Sequence, residues 1–369
     1  MSQARFLLVG GFLGAGKTTA LAALADHLAA GGKRVGVITN DHGSELVDTA
    51  IIRAQEFATE EVSGGSLVGR FDRFIDAMKK LEKTSAPDFL LAEPVGSCAD
   101  LVATVVYPLR RLHGDSLGFA PVSILVDPLR AEQVLGLAPG HSFSEKVLYI
   151  YRKQLEEADL IVITKADLID ETRLARLRAK LAIEFPQARI LAISPRTSVG
   201  LKEWFALLEN GAPGDRPAME IDYDLHAEGE ALVGWLNSTI EFYGAKAADP
   251  QAMLTMLARR ILAALPGVEI AHFKIALRPD GSEDVAVIQV TQRDAEPTIS
   301  RRINPPVDTG ELTINLRAET APEALHTALR QAVVELIKEF PGLKTEFAHL
   351  HYFRPIKRPP THRMTSPAP

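Results

Sequence analysis

Gly11-Phe12-Leu13-Gly14-Ala15-Gly16-Lys17-Thr18 follows the apolar run Phe6-Leu7-Leu8-Val9 and opens the helix-forming stretch Thr19-Ala20-Leu21-Ala22-Ala23-Leu24. A glycine, four residues and then Gly-Lys-Thr, set between a strand and a helix, is the pattern of a phosphate-cradling loop. Its glycines let successive backbone N–H groups turn inward on phosphate oxygens, and the positive end of the following helix adds to their field. The spacing assigns Gly11, Gly14, Ala15, Gly16 and Thr19 to the cradle, Lys17 to the β- and γ-phosphates, and the Thr18 hydroxyl to Mg²⁺.

Outward from this loop, short apolar runs alternate with helical stretches as far as about residue 208. They are FLLVG (6–10), RVGVITN (34–40), DFLLAE (88–93), PVSILVD (121–127), DLIVITK (159–165) and ARILAIS (188–194). Continuous rather than alternating apolar runs mark strands buried on both faces of a parallel sheet. A doubly wound α/β domain is predicted over 1–212, with its ligand at the carboxyl ends of the strands. The run ENGAPGDRP (209–217) reads as a linker, and the pattern then changes. Asp249-Pro250 starts a helix with Leu254, Leu257, Ile261, Leu262 and Leu265 on one face; EIAHFKIAL and DVAVIQV form a hairpin across Pro279-Asp280-Gly281; ELTINL is a further strand. A second amphipathic helix follows Pro322, and FAHLHYF closes a smaller α+β domain over 213–353. The basic, proline-rich tail 354–369 is predicted to be disordered.

Other strand ends carry chemistry. Glu93, directly after FLLA, is placed to hold Mg²⁺ or its water. Asp41, after RVGVITN, either orients an attacking water, joins the metal shell or simply caps the strand end, with Asp48 in a loop beyond it. Thr164-Lys165-Ala166-Asp167 follows DLIVI, in the order relative to the phosphate loop that the guanine-reading Asn-Lys-x-Asp has in GTPases. Asp167 can accept from guanine N1–H and its 2-amino group, a donor pair adenine lacks. The Lys165 stem can lie over the ring, while Thr164 in place of Asn predicts weaker loop anchoring. Ser194 stands where a backbone N–H contacts the base.

GGFLGAGKTT, LAEPVG and ITKADLID with the two-domain layout resemble the CobW-type GTPases, relatives of the nickel-insertion GTPases of hydrogenase and urease maturation. The resemblance covers roughly the first 210 residues. It implies binding of GTP with Mg²⁺, and slow hydrolysis coupled to metal delivery or to a metal- or cobalamin-dependent client protein. A homodimer or the client would supply activation, since no arginine finger is assigned. That family carries Cys-x-Cys-Cys after a glycine in the loop following the second strand. Here Val62-Ser63-Gly64-Gly65-Ser66-Leu67-Val68-Gly69 keeps the glycines but puts Ser66, Val68 and Gly69 in the cysteine positions, and Asp41-His42-Gly43-Ser44 keeps only one acid of the switch segment. Ser, Val and Gly supply no thiolate, so the loop is expected to bind neither Zn²⁺ nor Co²⁺ tightly. Its glycines would serve a backbone need instead.

Composition excludes several classes. A net charge of −6 gives no basic footprint for nucleic acid, and no run approaches the about 20 apolar residues of a membrane span. The N-terminal apolar run feeds the glycine loop rather than a cleavage site, so a cytoplasmic location is expected. The single cysteine, Cys98, precludes a disulfide or thiolate cluster within one chain. His349 and His351 share one face of a strand, and with His226 they form the other candidate metal set. Three readings compete with a GTPase switch: a nucleotide-binding interaction module without hydrolysis, a histidine-based metallochaperone, and a small-molecule kinase, for which no lid or acceptor-site arginine cluster is visible.

Overall fold

The computed structural model describes residues 3–41, 57–140, 142–293, 296–356 and 359–367. His42, Ser44 and Asp48 lie outside the described residues, as does the side chain of Asp41. The described residues fall into two compact units. One takes in 3–41, 57–229 and 359–367; the other is Glu230–Ile356.

The first unit is the doubly wound α/β fold expected. Its strands are β1 (Ala4–Gly11), β2 (Val35–Asp41), β3 (Ala58–Ser63), β4 (Phe89–Glu93), β5 (Leu117–Phe119), β6 (Ser123–Val126), β7 (Leu160–Ile163) and β8 (Arg189–Ala192). They form one parallel sheet in the order β3-β2-β4-β1-β6-β7-β8, with β5 beside β1. Helices α1 (Lys17–Ala30), α2 (Phe71–Thr84), α3 (Tyr107–His113), α4 (Pro128–Val134), α5 (Glu145–Glu156), α6 (Glu171–Glu184) and α7 (Leu201–Asn210) make the crossovers and flanks, and α8 (Tyr223–Leu232) begins in this unit and ends in the next. Every residue of β4, β6 and β7 is buried, which explains why these strands read as unbroken apolar runs. A π-helical turn, Val102–Val106, precedes α3.

Two edges of this unit carry specific contacts. The run 209–217, read as a linker, is held at Gly214 and Arg216. Asp159 accepts from Gly214 N at 3.1 Å and from Arg216, and the Asp222 N–H donates to the Tyr149 hydroxyl at 2.7 Å. Residues 359–367, within the tail expected to be disordered, also make backbone hydrogen bonds to this unit. The Thr361 and Met364 amides donate to the carbonyls of Val68 (3.3 Å) and Ala103 (2.9 Å), and Thr365 accepts from Ala218 N (2.8 Å). Proline-rich composition removes helix and sheet, but it leaves backbone groups that can still pair individually.

The second unit is an antiparallel sheet in the order β12-β11-β10-β13-β9-β14, from β9 (Gly234–Ala248), β10 (Ile270–Pro279), β11 (Ala286–Val290), β12 (Thr298–Arg301), β13 (Val307–Ala318) and β14 (Lys344–Phe353). β10 and β11 pair as the expected hairpin, with Leu277 opposite Ala286. Helices α9 (Pro250–Ala263) and α10 (Pro322–Glu339) cover one face. Asp249 caps α9 by accepting from Gln251 N at 2.9 Å, a contact typically worth ~1 kcal/mol. Leu254, Leu257, Ile261, Leu325, Leu329 and Leu336 are fully buried against the sheet, each contributing roughly 1.5–3 kcal/mol of transfer free energy. This burial, far more than the cap, fixes where the helices dock.

Candidate nucleotide site

The carboxyl ends of β1, β2, β4, β6, β7 and β8 bring the expected residues to one edge of the first unit. At Gly11 only glycine fits: its φ is +130°, and a Cβ there would lie 2.3 Å from the Leu125 carbonyl oxygen. Gly14 and Gly16 also have positive φ, so the chain turns sharply between Phe12 and α1. The Ala15 N–H closes that turn on the Phe12 carbonyl at 3.1 Å. Thr18 and Lys17 are buried, and Thr19 is exposed beside them. Lys17 Nζ donates to the Gly11 and Phe12 carbonyls at 2.9 and 3.3 Å, so its ammonium lies over its own loop.

Thr18 Oγ1 donates to Glu93 Oε1 at 2.9 Å, across 75 positions of sequence. A hydroxyl and a carboxylate side by side at the start of α1 form a hard-oxygen pair of the kind Mg²⁺ takes. Asp41 is the last residue of β2, its backbone in register with Ser63 of β3.

The Thr164–Asp167 loop is fastened to the phosphate loop itself. Thr164 Oγ1 donates to the Ala15 carbonyl at 2.7 Å. Lys165, whose φ is +49°, donates to the Gly14 carbonyl at 2.9 Å and pairs with Asp127 at 2.7 Å. With Thr in place of Asn, the loop still reaches the phosphate loop through this hydroxyl. Asp167 accepts from the Ser194 hydroxyl at 2.5 Å and from Arg196. Burial opposes its charge, but those hydrogen bonds hold its carboxyl below the ordinary range, so it stays an acceptor at neutral pH.

Three contributors were not legible as site residues. Asp127, at the end of β6, is almost wholly buried and caps α4 by accepting from Leu129 and Arg130 N–H. Burial again works against its charge, and the Lys165 ammonium with these hydrogen bonds prevails, lowering its pKa. Asn40, at the end of β2, donates to the Val62 and Gly65 carbonyls at 2.7 Å each and accepts from Leu67 N at 2.9 Å and Val95 N at 3.4 Å. It thus fixes the glycine-pair loop next to the Glu93 loop. Arg196 is the third. The available signal was position alone: Asp127 and Asn40 end apolar runs as Glu93 does.

The glycine pair serves the backbone. Gly64 has φ +78°, and its carbonyl accepts from Arg70 at 3.0 Å. Beyond it, Leu67–Gly69 is a 3₁₀ turn closed by Gly69 N to the Ser66 carbonyl, with Val68 buried. His349 and His351 do share a face of β14, their rings 6.4 Å apart. His226, in the first unit, has Nε2 3.1 Å from the Ser97 carbonyl. Among the described residues no group of three or more His, Cys, Asp or Glu is arranged to hold a metal ion, and no helix is long and apolar enough to cross a membrane.

Curated relatives named zinc chaperone CobW come from Pseudomonas aeruginosa (29% identical over 211 residues, 49% of this chain and 54% of that protein) and a Sinorhizobium species (31% over 199 residues, 47% and 54%). The chain spans about half the length of these relatives. Similar solved structures include the hydrogenase maturation factor HypB of Archaeoglobus fulgidus (21% identity, 56% of this chain and 90% of that one, TM-score 0.40). Another is Zn(II)-bound YjiA GTPase of E. coli (17%, 89% and 99%, TM-score 0.36). The CobW/HypB/UreG nucleotide-binding domain matches residues 5–191, half of the 369-residue chain, and the chain belongs to that family.

Proposed function

We propose that this protein binds GTP with Mg²⁺ at the loop 11–18 and hydrolyses it slowly, as a nucleotide-dependent, chaperone-like switch for a metal- or cobalamin-dependent client protein. The observation that carries the reading is the fastening of Thr164 and Lys165 to the Ala15 and Gly14 carbonyls, which ties a guanine-reading loop to a phosphate cradle. A small-molecule kinase would give Asp167 no task.

Lys17 would exchange its bonds to the Gly11 and Phe12 carbonyls for the β- and γ-phosphate oxygens. Backbone N–H groups from Gly14 to Thr19 would surround the same oxygens. Thr18 and Glu93 are the residues that would hold Mg²⁺, which would supply positive charge to neutralise the phosphates. Asp41 is proposed to place the attacking water. With positioning and electrostatics alone, turnover is slow until a partner completes the site. The relatives' names point to metal handling, but Ser66, Val68 and Gly69 offer no thiolate for cargo, so client recognition rather than metal carriage is proposed here.

Phosphate release from GTP and from ATP, each with Mg²⁺ and with chelator, tests the reading. Release from GTP that requires Mg²⁺ and exceeds that from ATP supports it. Equal rates for the two nucleotides, or GTP binding with no turnover beside any client, would return the chain to the general NTPase or interaction-module reading.

A further inference from the structure

The segment between Glu93 and the π-helical turn is held from several sides. Buried Gln154 donates to the Gly96 and Cys98 carbonyls at 2.9 and 2.8 Å. Gly96 packs so closely on the phosphate loop that a Cβ would lie 2.8 Å from the Leu13 amide nitrogen. The segment ends at Asp100, a buried non-glycine residue at φ +65°, a conformation that persists only where surroundings enforce it. What grips Asp100 is distant from it in sequence. Arg363 donates through Nε to Oδ2 at 2.8 Å and through Nη2 to Oδ1 at 3.5 Å, and the Tyr223 hydroxyl donates to the same carboxylate.

The neighbours of Arg363 extend the grip. Met364 N reaches the Ala103 carbonyl in the π-helical turn, and Thr361 N reaches the Val68 carbonyl in the 3₁₀ turn. The His362 ring meets Phe71 edge-on, centroids 5.0 Å apart. Val68 stands where the CobW-type family carries a cysteine; in this chain its backbone carbonyl accepts from Thr361.

We propose that residues 361–365 are a strap that ties Asp100 and the π-helical turn to the Leu67–Gly69 turn, with Arg363 a positioning residue for the magnesium–nucleotide site. The proposal rests on the function proposed above for that site, but its physical core, the strap, does not. Loss of the strap frees Asp100 to leave its left-handed conformation. The slack passes through residues 94–99 to Glu93, whose carboxylate is then no longer held on Thr18.

The test compares the full chain with a form ending at Pro360, and with Arg363→Ala, Arg363→Lys and His362→Ala, all checked for melting temperature. In nucleotide-free protein, hydrogen exchange at 67–71 and 101–106 should quicken on the order of tenfold in the truncated form and in Arg363→Ala. Arg363→Lys should recover part of the protection, and His362→Ala should affect only 67–71. With GTP, the Mg²⁺ concentration giving half-maximal thermal stabilisation should rise severalfold in the truncated form, at little change in GTP affinity without metal. Unchanged exchange at both segments overturns the strap. Faster exchange with an unchanged Mg²⁺ requirement overturns the positioning role and leaves a stabilising contact only. If the full chain does not respond to GTP at all, the functional reading fails, while exchange still decides the strap.

Discussion

Lys165 Nζ lies 2.7 Å from Asp127 Oδ2 and 2.9 Å from the Gly14 carbonyl oxygen, so one ammonium joins the end of β6, the Thr164–Asp167 loop and the phosphate loop. The Asp127 carboxylate is 2% exposed, and removing its charge leaves Lys165 without its counter-ion. Asp127→Asn keeps a cap for α4 but loses the pair. We expect about 1–2 kcal/mol lower stability in urea titration and GTP affinity weakened by roughly tenfold. Full GTP affinity in that variant would show that Lys165 holds the loop without help.

Glu157 gives a pH prediction. Burial raises its carboxyl well above the ordinary range, opposed by hydrogen bonds such as that from Val102 N, while its Oε1 has no partner among the described residues. A raised folded-state pKa means that the folded protein holds a proton the unfolded chain releases. Its stability contribution is therefore complete below the unfolded value and declines as pH rises through the folded one. Glu157→Gln should melt a few degrees above the parent near pH 8, and the gap should close as pH falls toward about 4.3, the free glutamate value. A gap independent of pH would mean that shape, not charge, governs this position.

For Lys17 the prediction concerns ligand-linked stability. GTP with Mg²⁺ should raise the melting temperature of the parent, and Lys17→Ala should remove most of that rise, because the phosphates lose their one assigned side-chain cation. The same GTP-dependent rise in both proteins would remove Lys17 from the phosphate site.

The Ser66–Gly69 turn should not bind transition metal. Isothermal titration of tag-free protein with Zn²⁺ or Co²⁺, GTP present, should show no affinity at or below about micromolar, a level worth roughly 8 kcal/mol. Tight binding lost in Ser66→Ala would contradict the reading of a turn without ligands. Tight binding lost in His349→Ala would instead assign metal to the second unit.

The first unit was legible because its signals are local. Six of the eight strands were readable as apolar runs, and Lys17, Thr18, Glu93 and Asp167 lie at or beyond the ends of such strands; β3, which carries two glutamates, and the three-residue β5 offer no such run. The glycine pair was readable for the same reason, since positive φ at Gly64 is a property of one residue. What stayed hidden depends on partners distant in sequence. Asp127 acts through Lys165, Asn40 through Gly65, Leu67 and Val95, and Arg363 through Asp100, none of which any periodicity connects. At 211–219 and 359–367 proline and glycine exclude regular elements, and what composition could not show are the isolated backbone hydrogen bonds there and the ion pair from Arg363 to the buried Asp100 carboxylate.

The central claim, that the Asp167 carboxylate selects guanine, is tested most directly by exchanging its acceptor for a donor. Competition binding of GTP, ATP and xanthosine triphosphate to the parent and to Asp167→Asn is the measurement. The parent should prefer GTP over ATP, since Asp167, kept ionised by Ser194 and Arg196, offers two acceptors to N1–H and the 2-amino group. The variant should lose GTP affinity by on the order of a hundredfold and gain xanthosine triphosphate, which presents an acceptor in place of that amino group. Equal ATP and GTP affinity in the parent, or a variant that keeps its preference for GTP, would contradict the account.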